Sequence, residues 1–435
     1  MPEARYTSIV YDYWFSLGMG KDRTFGSLHR TLMKSVIIIG GGVIARCCAL
    51  ALQRQGMCVT VLARHDETPA SYGNAGHIAA EQVEPLPQWS TLRTLPWTLF
   101  PMGPVALDFR YPLAWLPWSV RFLRACRPAA VDRGRVALRW LQGEALPAWE
   151  RLDASLPGPT LLQRDGTVKL WEGPSATARA RAAVRADCGT ATARLLTTAE
   201  IGRIGAGLSV PAGAGAHYAG TAHVISPRDV LERLAHAFID AGGEWRDDTA
   251  IHVAQEADGA VVAFQDRSLR ADAVLVAGGV TSGALLPHLR VPMIAERGYH
   301  IEWDHGGAYD LPNLVFEDRA LVVTRFGPRL RATSFVEFTK VDASPDPRKW
   351  AALERHVRAL GLPVASAFAH WHGARPTLPD YLPMLGRLAD QPRVFVAFGH
   401  NHLGLTLAAT TAERMATHML EDVALPAVFS PDRFT

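Results

Sequence analysis

The run SVIIIGGGVIA, from Ser35 to Ala45, decides how the rest of the chain is read. Its first five residues are a short β-branched stretch, which suits a strand buried on both faces of a parallel sheet. Gly40, Gly41 and Gly42 follow without a spacer. Residues 43–55 then read as a helix ended by Gly56, and the β-rich run 58–62 completes a strand, turn, helix, strand unit. Such a turn binds a dinucleotide. Gly40 permits the tight bend, Gly42 lets the backbone approach the pyrophosphate, and the helix start at Val43, Ile44 and Ala45 receives negative charge. Two positions depart from the usual pattern. Ala45 fills the third glycine position, where a methyl still fits the helix–strand contact. Ala63 stands where a carboxylate would accept hydrogen bonds from the adenosine ribose. Its absence predicts binding weaker by roughly 1.5–3 kcal/mol unless water or Arg64, His65 and Asp66 compensate.

Composition narrows the function classes. The 435 residues are 48% hydrophobic and 20% charged, which excludes disorder and leaves room for two domains. The 45 basic and 42 acidic side chains leave a net charge of +3, so nothing argues for nucleic acid as a partner. Five cysteines, among them the adjacent Cys47 and Cys48, show neither metal-ligand spacing nor a disulfide framework, which suits a reducing compartment. The aromatic stretch around residues 95–126 contains Pro96, Pro101, Pro104, Pro112, Pro117 and Arg110, so it cannot be a simple transmembrane helix. Residues 1–32 lack the apolar core of a signal peptide and read as a non-essential extension.

The expected fold class is α/β, α+β overall: a Rossmann-type nucleotide-binding domain interleaved with a second domain built on an antiparallel sheet. Residues 131–152 have helical spacing interrupted by Gly143 and Pro147, 166–171 are strand-like, and 228–241 form an amphipathic helix behind Ser226 and Pro227. The apolar strand within 271–279 ends at Gly278 and Gly279, where the nucleotide fold resumes. Alternating short strands over 297–338 predict an antiparallel sheet, and Trp350, Leu353, Val357 and Leu360 make a helical core stripe. The segments 33–90, 196–292 and 373–427 are assigned to the nucleotide-binding domain, and 91–195 and 293–372 to the other.

Four further motifs join Gly40–Gly42: Ser71-Tyr72-Gly73-Asn74-Ala75-Gly76-His77-Ile78, Glu296-Arg297-Gly298-Tyr299-His300, Gly373-Ala374-Arg375-Pro376, and the run from Gly399 to Thr406. With these, residues 33–422 resemble the D-amino-acid oxidase superfamily of FAD-dependent oxidoreductases. Within it they look most like bacterial D-amino-acid dehydrogenases, including D-hydroxyproline dehydrogenase-like members. The resemblance implies FAD as cofactor, contacted by Gly40, Gly42, Val43, Ile44, Ala45 and Arg64, by Ser71, Asn74, Ala75 and Gly76, and by Ile251 and Gly278. It also implies contacts from Gly399, His402, Leu403, Gly404, Leu405 and Thr406 at the ring end, where a helix start faces the flavin pyrimidine. Asn401 replaces a glycine common in similar sequences, so backbone strain is expected there.

Small hydrogen-bonding residues over 71–76 suit a turn against a planar ring, though they also suit a surface turn. Arg375 offers a planar pair of donors that matches a carboxylate, and in the resembling family this arginine binds the substrate. Tyr299 is a candidate to hydrogen-bond substrate or else to pack, and alternation puts it and His300 on opposite faces. His77 reads as a pocket hydrogen-bonding histidine more readily than as a base. His400 and His402 lack the further ligands a metal would need, so no metal is expected. The activity implied is oxidation of a D-amino acid, with D-proline or hydroxy-D-proline as examples, by hydride transfer to flavin. The rivals are a sarcosine- or glycine-type amine oxidase and a degenerate flavin-binding protein. The implied partners are a small amino-acid substrate and a quinone or other electron acceptor, on the cytoplasmic side. The aromatic stretch 97–122 reads as core packing, with peripheral membrane contact as its alternative.

Overall fold

Ser35–Ile39 forms a central strand of a six-stranded sheet in the computed structural model, which describes residues 33–434 apart from 65, 67 and 210–212. The extension proposed for residues 1–32 lies outside the described residues. Val36, Ile37 and Ile38 are buried, as strands covered on both faces require. The sheet order is Glu244–Arg246, Cys58–Leu62, Ser35–Ile39, Ala273–Val276, Val394–Phe398 and Met384–Arg387. The first five are parallel and the last antiparallel. Register is tight: Ile39 pairs with Leu62 on one side and Val276 on the other, so three strands end together beside Gly40. The helix Val43–Arg54 packs on Pro227–Asp240 and on Gly404–Glu421. Ser226 caps the second of these, its Oγ accepting the Asp229 N–H at 3.2 Å, and Pro227 sits at the first helical position.

A second, larger sheet contains Ala369–Thr377, Ile294–Asp304, Arg329–Thr339, Leu321–Phe326, Leu314–Phe316, Thr167–Trp171, Ala214–Ala219 and Thr192–Leu195 in that order. Most pairs are antiparallel, as the alternating pattern predicts; Leu314–Phe316 and Thr167–Trp171 run parallel. The helix Pro347–Ala359 covers one face, and Leu353 and Val357 join Tyr299, Ile301 and Trp303 in its core. Full burial of each such aliphatic side chain stabilises by about 1.5–3 kcal/mol. Segments 33–90, 196–292 and 373–427 supply every strand of the six-stranded sheet, while Ala214–Ala219, from within 196–292, joins the larger one. The architecture is thus mixed α/β, a Rossmann-like sheet and helices beside a separate strand-rich region.

The reading of 97–122 as core packing needs correction. Trp118 is buried against Phe338 and Tyr381, but Trp97, Phe109, Leu113 and Leu116 are exposed. Composition alone cannot distinguish an aromatic side chain that packs from one that projects.

Candidate functional site

A cavity of about 980 Å³ opens at the C-terminal ends of the parallel strands, where open α/β sheets bind ligands. At its nucleotide end Gly40 has φ +133°, and a Cβ there would lie 2.4 Å from the Ala277 carbonyl oxygen. Gly40, Gly42, Val43 and Ile44 line the cavity. Ala45 does not: it is fully buried, as a helix–strand contact asks. The Val43 N–H at the helix start donates to Ser71 Oγ at 3.1 Å, so the turn 71–76 is already docked where a phosphate oxygen belongs. Arg46, which sequence reading passed over, locks the turn from behind. Its Nε donates to the Gly41 carbonyl at 2.7 Å, one Nη donates to the Leu231 carbonyl at 2.6 Å, and its guanidinium lies over the Trp245 ring.

Beyond Ala63 the acid is missing, as expected. Arg64 lines the cavity and pairs with Asp66 at 2.8 Å, Ile251 and Gly278 line it too, and Asp248 brings a carboxylate from the loop after Glu244–Arg246. Asp248 and Glu296 are the two acidic residues among the described residues that line the cavity.

The middle of the cavity is walled by the turn 71–76. Asn74 Oδ1 accepts the Gly76 N–H at 2.7 Å, and Arg331 donates to the Tyr72 carbonyl at 2.9 Å and the Asn74 carbonyl at 2.6 Å. The turn is therefore held to the large sheet, not free as a surface turn would be. Ser71, Asn74 and Ala75 line the cavity, whereas Gly76, with φ +81°, turns the chain beside the Phe326 ring. His77 Nε2 is 2.8 Å from Thr167 Oγ1 and 3.6 Å from Glu81, and burial holds its pKa below the ordinary value. The ring is half-buried in the cavity wall and hydrogen-bonded there.

At the far side, Val394–Phe398 delivers Gly399, whose φ of +82° bends the chain while its neighbours face the cavity. The turn Asn401–Leu403 precedes the helix Gly404–Glu421, and His402, Leu403, Gly404, Leu405 and Thr406 line the wall. Asn401 has φ +46°, the strain expected for a non-glycine residue at this point. Its amide offsets that strain, donating to the Tyr381 carbonyl at 2.9 Å and accepting the Leu403 N–H at 3.2 Å. His402 Nε2 meets Gln82 Oε1 at 2.9 Å, and burial drives its pKa down to about 4, so it places no charge beside the cavity at neutral pH. Among the described residues no group of three or more side chains is arranged to hold a metal.

The third region is built across two paired strands. Arg375 faces Glu296 in register and donates to its carboxylate at 3.1 Å and to the Phe335 carbonyl at 3.3 Å. Glu296 is buried and also accepts from Thr377 Oγ1 at 3.1 Å and Tyr381 Oη at 3.0 Å. Phe335 has φ +69° where the register between Ile294–Asp304 and Arg329–Thr339 shifts, which turns its carbonyl toward the guanidinium. Gly298 makes the space: a Cβ there would lie 2.3 Å from an Arg375 nitrogen. Arg375 is only partly buried and lines the cavity.

Tyr299 also lines the cavity, but its hydroxyl is not directed to a ligand. It donates to Glu337 at 2.6 Å and accepts the Asp346 N–H at 3.1 Å, within a cluster that includes Lys349 and Arg297. The expectation of a substrate hydrogen bond from this tyrosine is corrected accordingly. Glu296, Phe335 and Gly298 carry the arginine, and of these only the strand motif around 296–300 was visible beforehand.

These features meet the demands of a flavin dinucleotide: two helix starts and a glycine turn without room for a Cβ open onto one elongated cavity. The sequence profile of the DAO family, described as FAD dependent oxidoreductase, matches residues 35–418. The chain belongs to that family: it is an FAD-dependent oxidoreductase. It is similar, at 27% identity over 92% of this chain and 99% of the relative, to a D-amino-acid oxidase of Bradyrhizobium diazoefficiens. It is 28% identical to D-amino acid dehydrogenase 2 of Pseudomonas aeruginosa over 88% and 94% of the two chains. Among solved structures, glycine oxidase from Geobacillus kaustophilus shares the fold with a TM-score of 0.67, 19% identity and coverage of 92% and 98%.

Proposed function

We propose that this protein oxidises D-amino acids, cyclic secondary amines such as D-proline and hydroxy-D-proline among them. The observation that carries this reading is Arg375, a guanidinium fixed by a buried carboxylate and a backbone carbonyl, lining the same cavity as the Gly40–Gly42 turn. Both curated relatives described above carry D-amino-acid names, which supports the stereochemistry.

Bound FAD supplies the two-electron hydride acceptor. Arg375 takes the substrate carboxylate with the nitrogens left free by Glu296, which fixes the αC–H direction. Glu296 holds the guanidinium plane, and Gly298 keeps the space beside it open. The neutral amine lone pair forms the C=N bond as the αC–H leaves as hydride, and the amine proton passes to solvent, so no protein base is required. The linear imine then hydrolyses to a 2-oxo acid and ammonia, and a quinone or another electron acceptor receives the electrons. His77, Asn74 and the helix start at Gly404 hold the walls around the ring.

Anaerobic mixing with D- and L-amino acids, glycine and sarcosine tests the reading. Bleaching of the flavin colour by D-amino acids is expected. Bleaching only by glycine or sarcosine would move the enzyme to oxidation of achiral amines without an α side chain, and bleaching by none would remove the proposal.

A further inference from the structure

Position 63 is where a nucleotide-binding sheet ordinarily offers a carboxylate to the adenosine ribose, and here it carries only a methyl group. The side chain points the right way for that duty: a Cβ on Gly41 would lie 3.0 Å from the Ala63 Cβ, so the methyl faces the glycine turn. Alanine has no polar atom, and a sugar hydroxyl buried without an acceptor is costly. Arg64 does not fill the role, because a guanidinium only donates and this one is engaged by Asp66 at 2.8 Å. The next strand outward does supply an acceptor. Glu244–Arg246 runs parallel to Cys58–Leu62 with Arg246 opposite Leu62, and the Ala63 N–H donates to the Arg246 carbonyl at 3.2 Å. The two strands therefore end level. The chain leaving the outer one carries Asp248, Thr249, Ala250 and Ile251 along the same cavity wall as Leu62, Ala63 and Arg64.

Asp66 and Asp247 line an adjoining open groove together with Asp248, but of the three only Asp248 also lines the cavity. Its side chain is 18% exposed and Arg267 donates to Oδ2, while no donor among the described residues takes Oδ1. An ionised carboxylate accepts at both oxygens, so the one held by Arg267 fixes the group and the other is left for a ligand. The second cavity acid, Glu296, is committed to Arg375, Thr377 and Tyr381 in the region where the large sheet meets the cavity. We infer that Asp248 takes the place of the absent acid and accepts the adenosine ribose hydroxyl of FAD, from the strand beside the usual one. The same charge sets the cofactor class. Arg64 next to a missing acid would suit a ribose bearing a 2′-phosphate, and the Asp248 carboxylate repels one. The inference concerns how the cofactor is retained and does not rest on the choice of substrate.

Full-length protein loaded with FAD, or with the analogue whose adenosine lacks the 2′-hydroxyl, is diluted and the released flavin is followed by its fluorescence. The unmodified chain should hold FAD at least about tenfold more tightly than the analogue, the effect of one hydrogen bond to a charged acceptor. Asp248→Ala should weaken FAD binding by at least about tenfold and bring FAD and analogue to within about twofold of each other. Adding Ala63→Asp to that variant should restore both the affinity and the preference for FAD; where the double variant does not fold, the ratio in Asp248→Ala alone decides. Asp248→Ala with the FAD affinity of the unmodified chain would overturn the inference. So would a variant that binds FAD weakly yet still prefers it to the analogue by the original factor, because its loss would then come from the fold and not from the ribose contact.

Discussion

At the scale of single residues the site depends on how Arg375 is held. Arg375→Lys keeps the charge but loses the planar fork and the bond to Glu296, so the substrate KM for flavin reduction should rise by about a hundredfold, equivalent to roughly 3 kcal/mol for a charge-assisted pair. Gly298→Ala is a sharper probe, because the three atoms nearest the added methyl all belong to the Arg375 guanidinium: stopped-flow titration should show weakened substrate affinity with FAD retention unchanged. Were Gly298→Ala to lose flavin and keep substrate affinity, the arginine would not be the substrate anchor. Glu296 and Arg375 lie 79 positions apart and meet only through strand pairing, so no spacing in the sequence could announce their bond. Tyr299 shows the converse: its family-like position was legible, but the direction of its hydroxyl depends on Glu337 and Asp346, which lie in other elements.

At the scale of elements, the strand–turn–helix unit over Ser35–Arg54 was legible because every constraint in it is local: β-branching, three glycines and a helix start. The turn Asn401–Leu403 was legible only as an oddity. Its asparagine sits in the left-handed region and repays that with two hydrogen bonds. Asn401→Gly should relieve strain but lose both bonds, for a net loss of about 1 kcal/mol, while Asn401→Ala loses the bonds and keeps the strain, for about 3 kcal/mol. Chemical denaturation orders the three proteins; an Ala variant as stable as wild type would show that the amide contributes nothing. The segment 97–122 was misread as core because composition does not say which aromatic side chains pack: Trp118 does, while Trp97 and Phe109 project.

At the scale of the whole molecule, buried histidines set a limit on acid stability. Burial lowers His300 to about 2, His400 to about 3 and His402 to about 4. Because the folded values lie below the ordinary one near 6.5, the unfolded chain binds these protons first as pH falls. The stability they contribute is intact above pH 6.5 and is lost as pH falls through the folded values, near 4 for His402 and lower for His400 and His300. The melting temperature should fall across that window, and His400→Gln should flatten the slope; an unchanged slope would contradict the burial of this ring. The most direct test of the account is anaerobic: the FAD-loaded enzyme is mixed with D-proline, L-proline and glycine, beside the Arg375→Lys variant. Rapid bleaching by the D-enantiomer at a concentration that leaves the variant oxidised is the predicted result, and bleaching of both proteins alike, or of neither, would contradict it.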